Sequence, residues 1–194
     1  MKKGFLTIIF LLLAFCCCYD VVAQEKSKTQ VSVSTDLIDW ANFGTVNLEA
    51  GVSVHQHFSV HAGAKYNPWN FRTGKSNLHL YNHQQTAYLG VRYWPWYVYS
   101  GWWASAQAQY SKFEKTGVWR HALDTGSALG LGISLGYTLM LNEKLNLEFG
   151  AGFWAGNRYK HVLYCCPDCM DVRESNPMMF VTLNDISLAV MYVF

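Results

Sequence analysis

From Val31 to the end of the chain, apolar and polar residues alternate with a period of two. That period places successive side chains on opposite faces of an extended strand, whereas a helical stripe repeats near 3.6. Eight segments carry it. Val31, Val33, Thr35 and Leu37 oppose Ser32, Ser34 and Asp36. Val46 to Val54 sets Val, Leu and Ala against Asn47, Glu49, Gly51 and Ser53. Beyond Gln56-His57, Phe58, Val60, Ala62, Ala64 and Tyr66 oppose Ser59, His61, Gly63 and Lys65. Ala87 to Tyr93 opposes Tyr88, Gly90 and Arg92, and Trp102 to Tyr110 opposes Ser105, Gln107 and Gln109. Leu129 to Leu139 opposes a run of Gly, Ser and Thr, and Leu145 to Phe153 opposes Asn146, Glu148, Gly150 and Gly152. The last segment sets Ile186, Leu188, Val190, Tyr192 and Phe194 against Asp185, Ser187, Ala189 and Met191.

Strands of about ten residues are long enough to cross a bilayer when tilted. An even number of antiparallel strands with alternating faces is the signature of an outer-membrane barrel. Lipid offers the backbone no hydrogen-bond partner, so such a sheet must close on itself. The predicted fold is therefore all-β, an eight-stranded antiparallel transmembrane β-barrel over 31–194. A soluble barrel of the lipocalin type would show the same alternation with its large residues inside. Side-chain size separates the two. The interior of an eight-stranded barrel is only just wide enough for side chains. The Gly, Ser, Ala and Asn face fits that space, and neither face has the Lys and Glu density of a soluble exterior.

Composition agrees. The 194 residues are 51% hydrophobic and 14% charged, against about 25% charged in an ordinary soluble domain. A net charge of +2 lacks the basic footprint of a nucleic-acid binder. The apolar content excludes disorder. Aromatic residues are 16% of the chain and group near the strand ends. Phe58, Tyr93, Trp94, Trp96, Tyr97, Trp102, Trp103, Tyr137 and Tyr192 mark one end; Tyr66, Trp69, Phe71, Tyr110, Phe113, Phe153 and Trp154 mark the other. Amphipathic rings favour headgroup depth, so these groups are expected to form two girdles.

The N-terminus reads as a secretory signal peptide over residues 1–23: Lys2 and Lys3, an apolar run from Phe5 to Phe15, and Val21-Val22-Ala23 before the cut. A lipoprotein signal ending at Cys16 is the rival, with bulky Phe15 where a small residue is wanted. Residues 24–30 form a short periplasmic segment. Tight turns at Gln56-His57 and Asn142 to Lys144 alternate with longer connections at Pro68 to His83, Glu114 to Thr125 and Ala155 to Asn184, and the longer set is expected outside the cell. The end of the chain, with Tyr192 and a final Phe194, resembles the C-terminal signal of outer-membrane barrels, which implies recognition by the barrel-assembly machinery.

Val31 to Ala41, Tyr66-Asn67-Pro68-Trp69, Val91-Arg92-Tyr93-Trp94-Pro95 and Tyr164 to Cys169 together resemble a family of small outer-membrane proteins of Bacteroides-type bacteria whose function is unknown. The likeness spans essentially the mature chain, and the architecture also resembles OmpA-type and OmpX-type barrels. It implies a surface role, in some relatives alongside fimbrial proteins. Family members often carry Cys-x-x-Cys-Gly in the last long loop. Here Cys166-Pro167-Asp168-Cys169 precedes Met170, and Cys165 is additional.

Three groups of residues carry candidate chemistry. Asp36, Glu49, Lys65, Arg92, Glu148 and Asp185 all lie on the small-residue face. Charges facing a narrow lumen need partners, so they are expected to form a hydrogen-bonded charge network that fills it, with Arg92 as the pivotal cation flanked by Lys65. A gate for ions is the alternative. Cys165, Cys166 and Cys169 are disulfide candidates in an oxidising compartment; zinc, with His161 or Asp168 added, is the alternative. Ser76, His79, His83, Ser111 and His121 are the residues that a lipid A-modifying enzyme would draw on, though their spacing does not require it. The expected protein is a monomeric, non-enzymatic barrel without cofactor. Its partners would be outer-membrane lipid, the assembly machinery and a surface or fimbrial protein, with no nucleic acid.

Overall fold

The computed structural model describes residues 29–194 apart from 43, 69, 73–78, 117–122, 167–168 and 175–177. The first 28 residues, with the expected signal peptide and its cleavage site, lie outside the described residues. Eight strands form the wall: β1 (Val31–Asp36), β2 (Val46–His55), β3 (Phe58–Asn67), β5 (His79–Tyr93), β6 (Gly101–Thr116), β7 (Leu123–Met140), β8 (Leu145–Cys166) and β10 (Met178–Val193). A short strand, β4 (Asn70–Arg72), pairs with β5, and β9 (Cys169–Glu174) pairs with β8. All pairings are antiparallel, and β10 joins both β8 and β1. The sheet thus closes into an eight-stranded barrel. Among the described residues no helix is long and apolar enough to cross a membrane.

The alternation decides which face turns inward. Leu131, Ile133 and Leu135 on β7 are 66–72% exposed, while Ser134 and Thr138 on the same strand are buried. The same split runs through β2, with Leu48 and Val54 out and Asn47 in, and through β6, with Trp102 out and Gln107 and Gln109 in. The exterior is an apolar belt and the interior is polar, the reverse of a soluble domain, in which buried charged groups are the exception.

Four expectations are corrected. Leu37 does not extend β1. Asp36 ends the strand and caps a one-turn helix, α1 (Leu37–Ala41), its carboxylate accepting the Ile38 N–H at 2.9 Å; an aspartate at that position satisfies an amide the helix leaves unpaired. The stretch from Ala155 to Asn184 is not one long loop, because β8 continues to Cys166 and returns through β9 and the upper part of β10. Trp94 and Trp103, expected in a girdle, are 0% and 4% exposed and point into the lumen. Their positions share the parity of Arg92 and Ser105, so strand geometry outweighs the preference of indole for an interface. Phe113 and Trp154 likewise share the inward parity of Ser111 and Gly152; Trp154 packs edge-on against Phe180 at 4.5 Å.

Large inward side chains need small neighbours. A Cβ on Gly63 would overlap the Tyr88 ring, and one on Gly136 would overlap Trp103. Tyr99, at φ 65°, and Gly101, at φ 73°, turn the connection between β5 and β6 back beneath the barrel.

Candidate functional site

Arg92 reaches across the lumen from β5. Its Nη1 donates to Glu148 Oε2 on β8 and its Nη2 to Glu49 Oε1 on β2, each at 3.0 Å. Tyr88, two inward positions away on β5, donates its hydroxyl to Glu49 Oε2 at 3.0 Å. Thr138 on β7 donates to Glu148 Oε2 at 3.4 Å. Arg92 and Glu148 are only 5% and 4% exposed. The guanidinium also stands over Trp103, 4.3 Å from the ring centroid, and 5.8 Å from that of Trp94. A planar cation with a fork of donors suits this position, because it serves two carboxylates while stacking on an aromatic face. Two carboxylates on one cation leave this trio with a formal surplus of negative charge.

Beside the trio lies a cavity of about 50 Å³, room for a few water molecules. Ser34, Ser105, Gln107, Ser134 and Ser187 help to line it. Arg92 Nε and Trp103 Nε1 are buried without a protein partner. Both residues border the cavity, which supplies the place where water can satisfy them. His61 continues the polar interior on the other side, its Nε2 3.4 Å from Gln107 Oε1.

At the end with the tight turns, the lumen is closed by Trp94, Tyr99, Trp103, Met191 and Val193, all at most 7% exposed. Trp94 Nε1 donates to Ser59 Oγ at 2.9 Å, and its backbone N–H to the His57 carbonyl at 2.9 Å. Asn146 Nδ2 donates to the Tyr99 carbonyl at 3.0 Å. The connection after β5 is therefore fastened from the turn between β2 and β3, from β3 and from β8. Burial is the main cause that raises the Tyr99 phenol above the usual pKa of a tyrosine, keeping it neutral.

Of the six charged residues expected in the lumen, Arg92 bonds two carboxylates directly, and Asp36 and Lys65 line the same cavity as this trio. Glu49, Arg92 and Glu148 meet. Lys65 forms an ion pair with Asp39 of α1 at 2.8 Å; it sits two positions above the residue facing Glu49, since Glu49 is in register with Gly63. Asp36 serves the backbone, accepting the Ile38 N–H and, at 3.2 Å, the Leu188 N–H. The side chain of Asp185 lies outside the described residues, while its backbone follows a bulge between Leu183 and Asp185. Tyr88, Thr138 and Asp39 were not singled out from the sequence. Tyr88 was accessible to that reading, since it shares the face of Arg92 and lies four residues before it.

Cys166 and Cys169 stand opposite each other in register where β8 turns into β9; their side chains, and that of Cys165, lie outside the described residues. Tyr192 and Phe194 at the chain end are outward-facing and stack edge-on at 4.8 Å. Ser76 and His121 lie outside the described residues, and His79 is placed by its backbone alone. Ser111 faces the lumen and shares a 2.9 Å hydrogen bond with Thr86. His83 belongs to the opposite face, with Nε2 2.9 Å from the Pro68 carbonyl and Nδ1 3.7 Å from Glu114.

Closed wall, polar lumen and apolar exterior define a small inverted β-barrel. Residues 8–194 match the model of a family described as protein of unknown function, DUF3575, and the chain belongs to that family. A comparison with curated proteins finds no match.

Proposed function

We propose that the protein is a non-enzymatic outer-membrane barrel that displays the longer connections of one end for surface contact or envelope support. The observation that carries this reading is the belt: Leu48, Leu89, Leu131, Ile133, Leu135 and Phe153 are each more than half exposed on the outside of a closed sheet. So much contiguous apolar surface has no place in water. In hydrocarbon it costs nothing, and closure of lower β10 onto β1 pairs the main chain there. The Arg92 trio and the aromatic floor support a filled lumen over an open channel. An OmpA- or OmpX-like mode of insertion, recognition of Tyr192 and Phe194 by the assembly machinery, cleavage before Gln24, a Cys166–Cys169 disulfide and a fimbria-associated role belong to the same proposal.

The test is fractionation of cells that express the full chain, with gel mobility of boiled and unboiled samples. The proposal expects an outer-membrane protein that runs as a compact band until boiled. A soluble product, or one held in the inner membrane, contradicts it. The enzyme alternative predicts a change in lipid A mass on deletion. It lacks support from His83 and Ser111, which face opposite sides of the sheet.

A further inference from the structure

β10 has strand neighbours on both sides only in its lower part. β8 accompanies it from Met178 to Tyr192. On the other side β1 is in register only with Ala189 to Val193. There Asp36 ends β1, takes the Leu188 N–H on its carboxylate, and hands the chain to α1, which packs beside β10. Above that point no strand lies against this edge among the described residues. The stagger of the barrel is the cause. Following the register from Ser34 through Glu49, Gly63, Tyr88, Gln109, Gly130 and Gly156 leads to Phe180, whereas the direct partner of Ser34 on β10 is Met191. β10 therefore climbs well past the end of its neighbour.

The direction of the free main-chain groups follows from the ladder. Phe194 N–H donates to the Val31 carbonyl at 2.8 Å, so the even residues of lower β10 face β1. The bulge between Leu183 and Asp185 transfers that role to odd residues above it: Leu183, Val181 and Met179. Their side chains are also the outward ones, 49%, 75% and 81% exposed. An unpaired strand edge with apolar side chains at alternate positions is a template for another strand.

We propose that the upper edge of β10 is a strand-addition site for an extended segment of another surface protein, apolar at alternate residues. The site continues an edge that β1 already pairs below, and an antiparallel guest would run in the direction of β1. A second copy is excluded by geometry, a step that rests on the membrane reading above. Two barrels inserted the same way are related by an axis along the membrane normal, so their tilted β10 edges cross instead of lying antiparallel. Lipid cannot pair the amides.

The probe is a synthetic peptide that repeats the Val-Ser alternation of β1, added to the full mature chain folded in detergent, with amide hydrogen exchange as the readout. The amides of Met179, Val181 and Leu183 are expected to slow by about tenfold or more. Val181→Pro should abolish the effect while the barrel keeps its heat-dependent mobility, because proline is tolerated where the amide faces a free edge. In intact cells, a photo-crosslinker at Met179 should give a protein adduct that Val181→Pro removes. Slow exchange at these amides without peptide would show the edge covered by its own chain and overturn the proposal. Equal protection in Val181→Pro, an adduct insensitive to that change, a dimer of the chain, or no adduct at all would overturn it too. Fractionation of the same cells scores the membrane reading separately.

Discussion

Replacing Arg92 by alanine removes the one group that both Glu49 and Glu148 contact at 3.0 Å. Tyr88 still serves Glu49 and Thr138 still serves Glu148, but no positive charge remains between two buried carboxylates. Breaking a buried pair by removing one partner typically costs about 3–5 kcal/mol. The loss of the guanidinium from the Trp103 face adds roughly 0.5–2 kcal/mol. Water in the adjoining cavity offsets part of both, so a loss of about 3 kcal/mol is the expected outcome. Urea unfolding in micelles, followed by gel mobility, measures it. Glu148→Gln in the Arg92→Ala background should recover a large share, because it deletes an orphaned charge and keeps an acceptor for Thr138. Arg92→Lys should recover less, since a single ammonium cannot fork to two carboxylates. Conductance should stay closed in Arg92→Ala, because the aromatic floor lies below the trio. Unchanged stability in Arg92→Ala, with no coupling to Glu148→Gln in a double-mutant cycle, would refute the reasoning.

Other perturbations follow from the same geometry. Leu131→Arg, at the most exposed position of the β7 belt, should destabilise the barrel in bilayers by about 2–4 kcal/mol, measured by reversible folding into vesicles. Asp36→Ala should cost about 0.5–2 kcal/mol as a lost cap, and faster hydrogen exchange at the Ile38 and Leu188 amides would locate the effect. Trp94→Ala with Trp103→Ala empties the floor; single-channel recording should show steps that the parent lacks, and silence would place the barrier elsewhere.

Much of the wall was legible in the sequence because period two and strand length report the same property, a sheet with one apolar face. The ends of the strands were less so. In the outer parts of β8 and β10 the alternation that marks a strand weakens from Tyr159 onwards although the ladder continues. Asp36 reads as one more inward polar residue, and only the register shows it turned to the backbone of Ile38 and Leu188. The Arg92 trio needed register as well: β2 and β5 are separated by β3, and β8 lies on the far side of the barrel. Charge alone grouped Lys65 with Glu49, whereas the two-residue offset and the arrival of α1 bring Asp39 within 2.8 Å of it. Trp94 and Trp103 show parity outweighing residue type. Both fall on the lumenal face, where Arg92 gives their rings a partner.

The central claim is that the face carrying Leu129, Leu131, Ile133, Leu135 and Tyr137 meets lipid. Spin labels placed one at a time along 129–137 of β7, in the chain from Gln24 onwards with Cys165, Cys166 and Cys169 replaced by serine, test it in reconstituted bilayers. The account predicts that odd positions relax with dissolved oxygen and are shielded from a water-soluble paramagnet, while even positions are shielded from both. Odd positions open to the water-soluble reagent along the whole strand would contradict it.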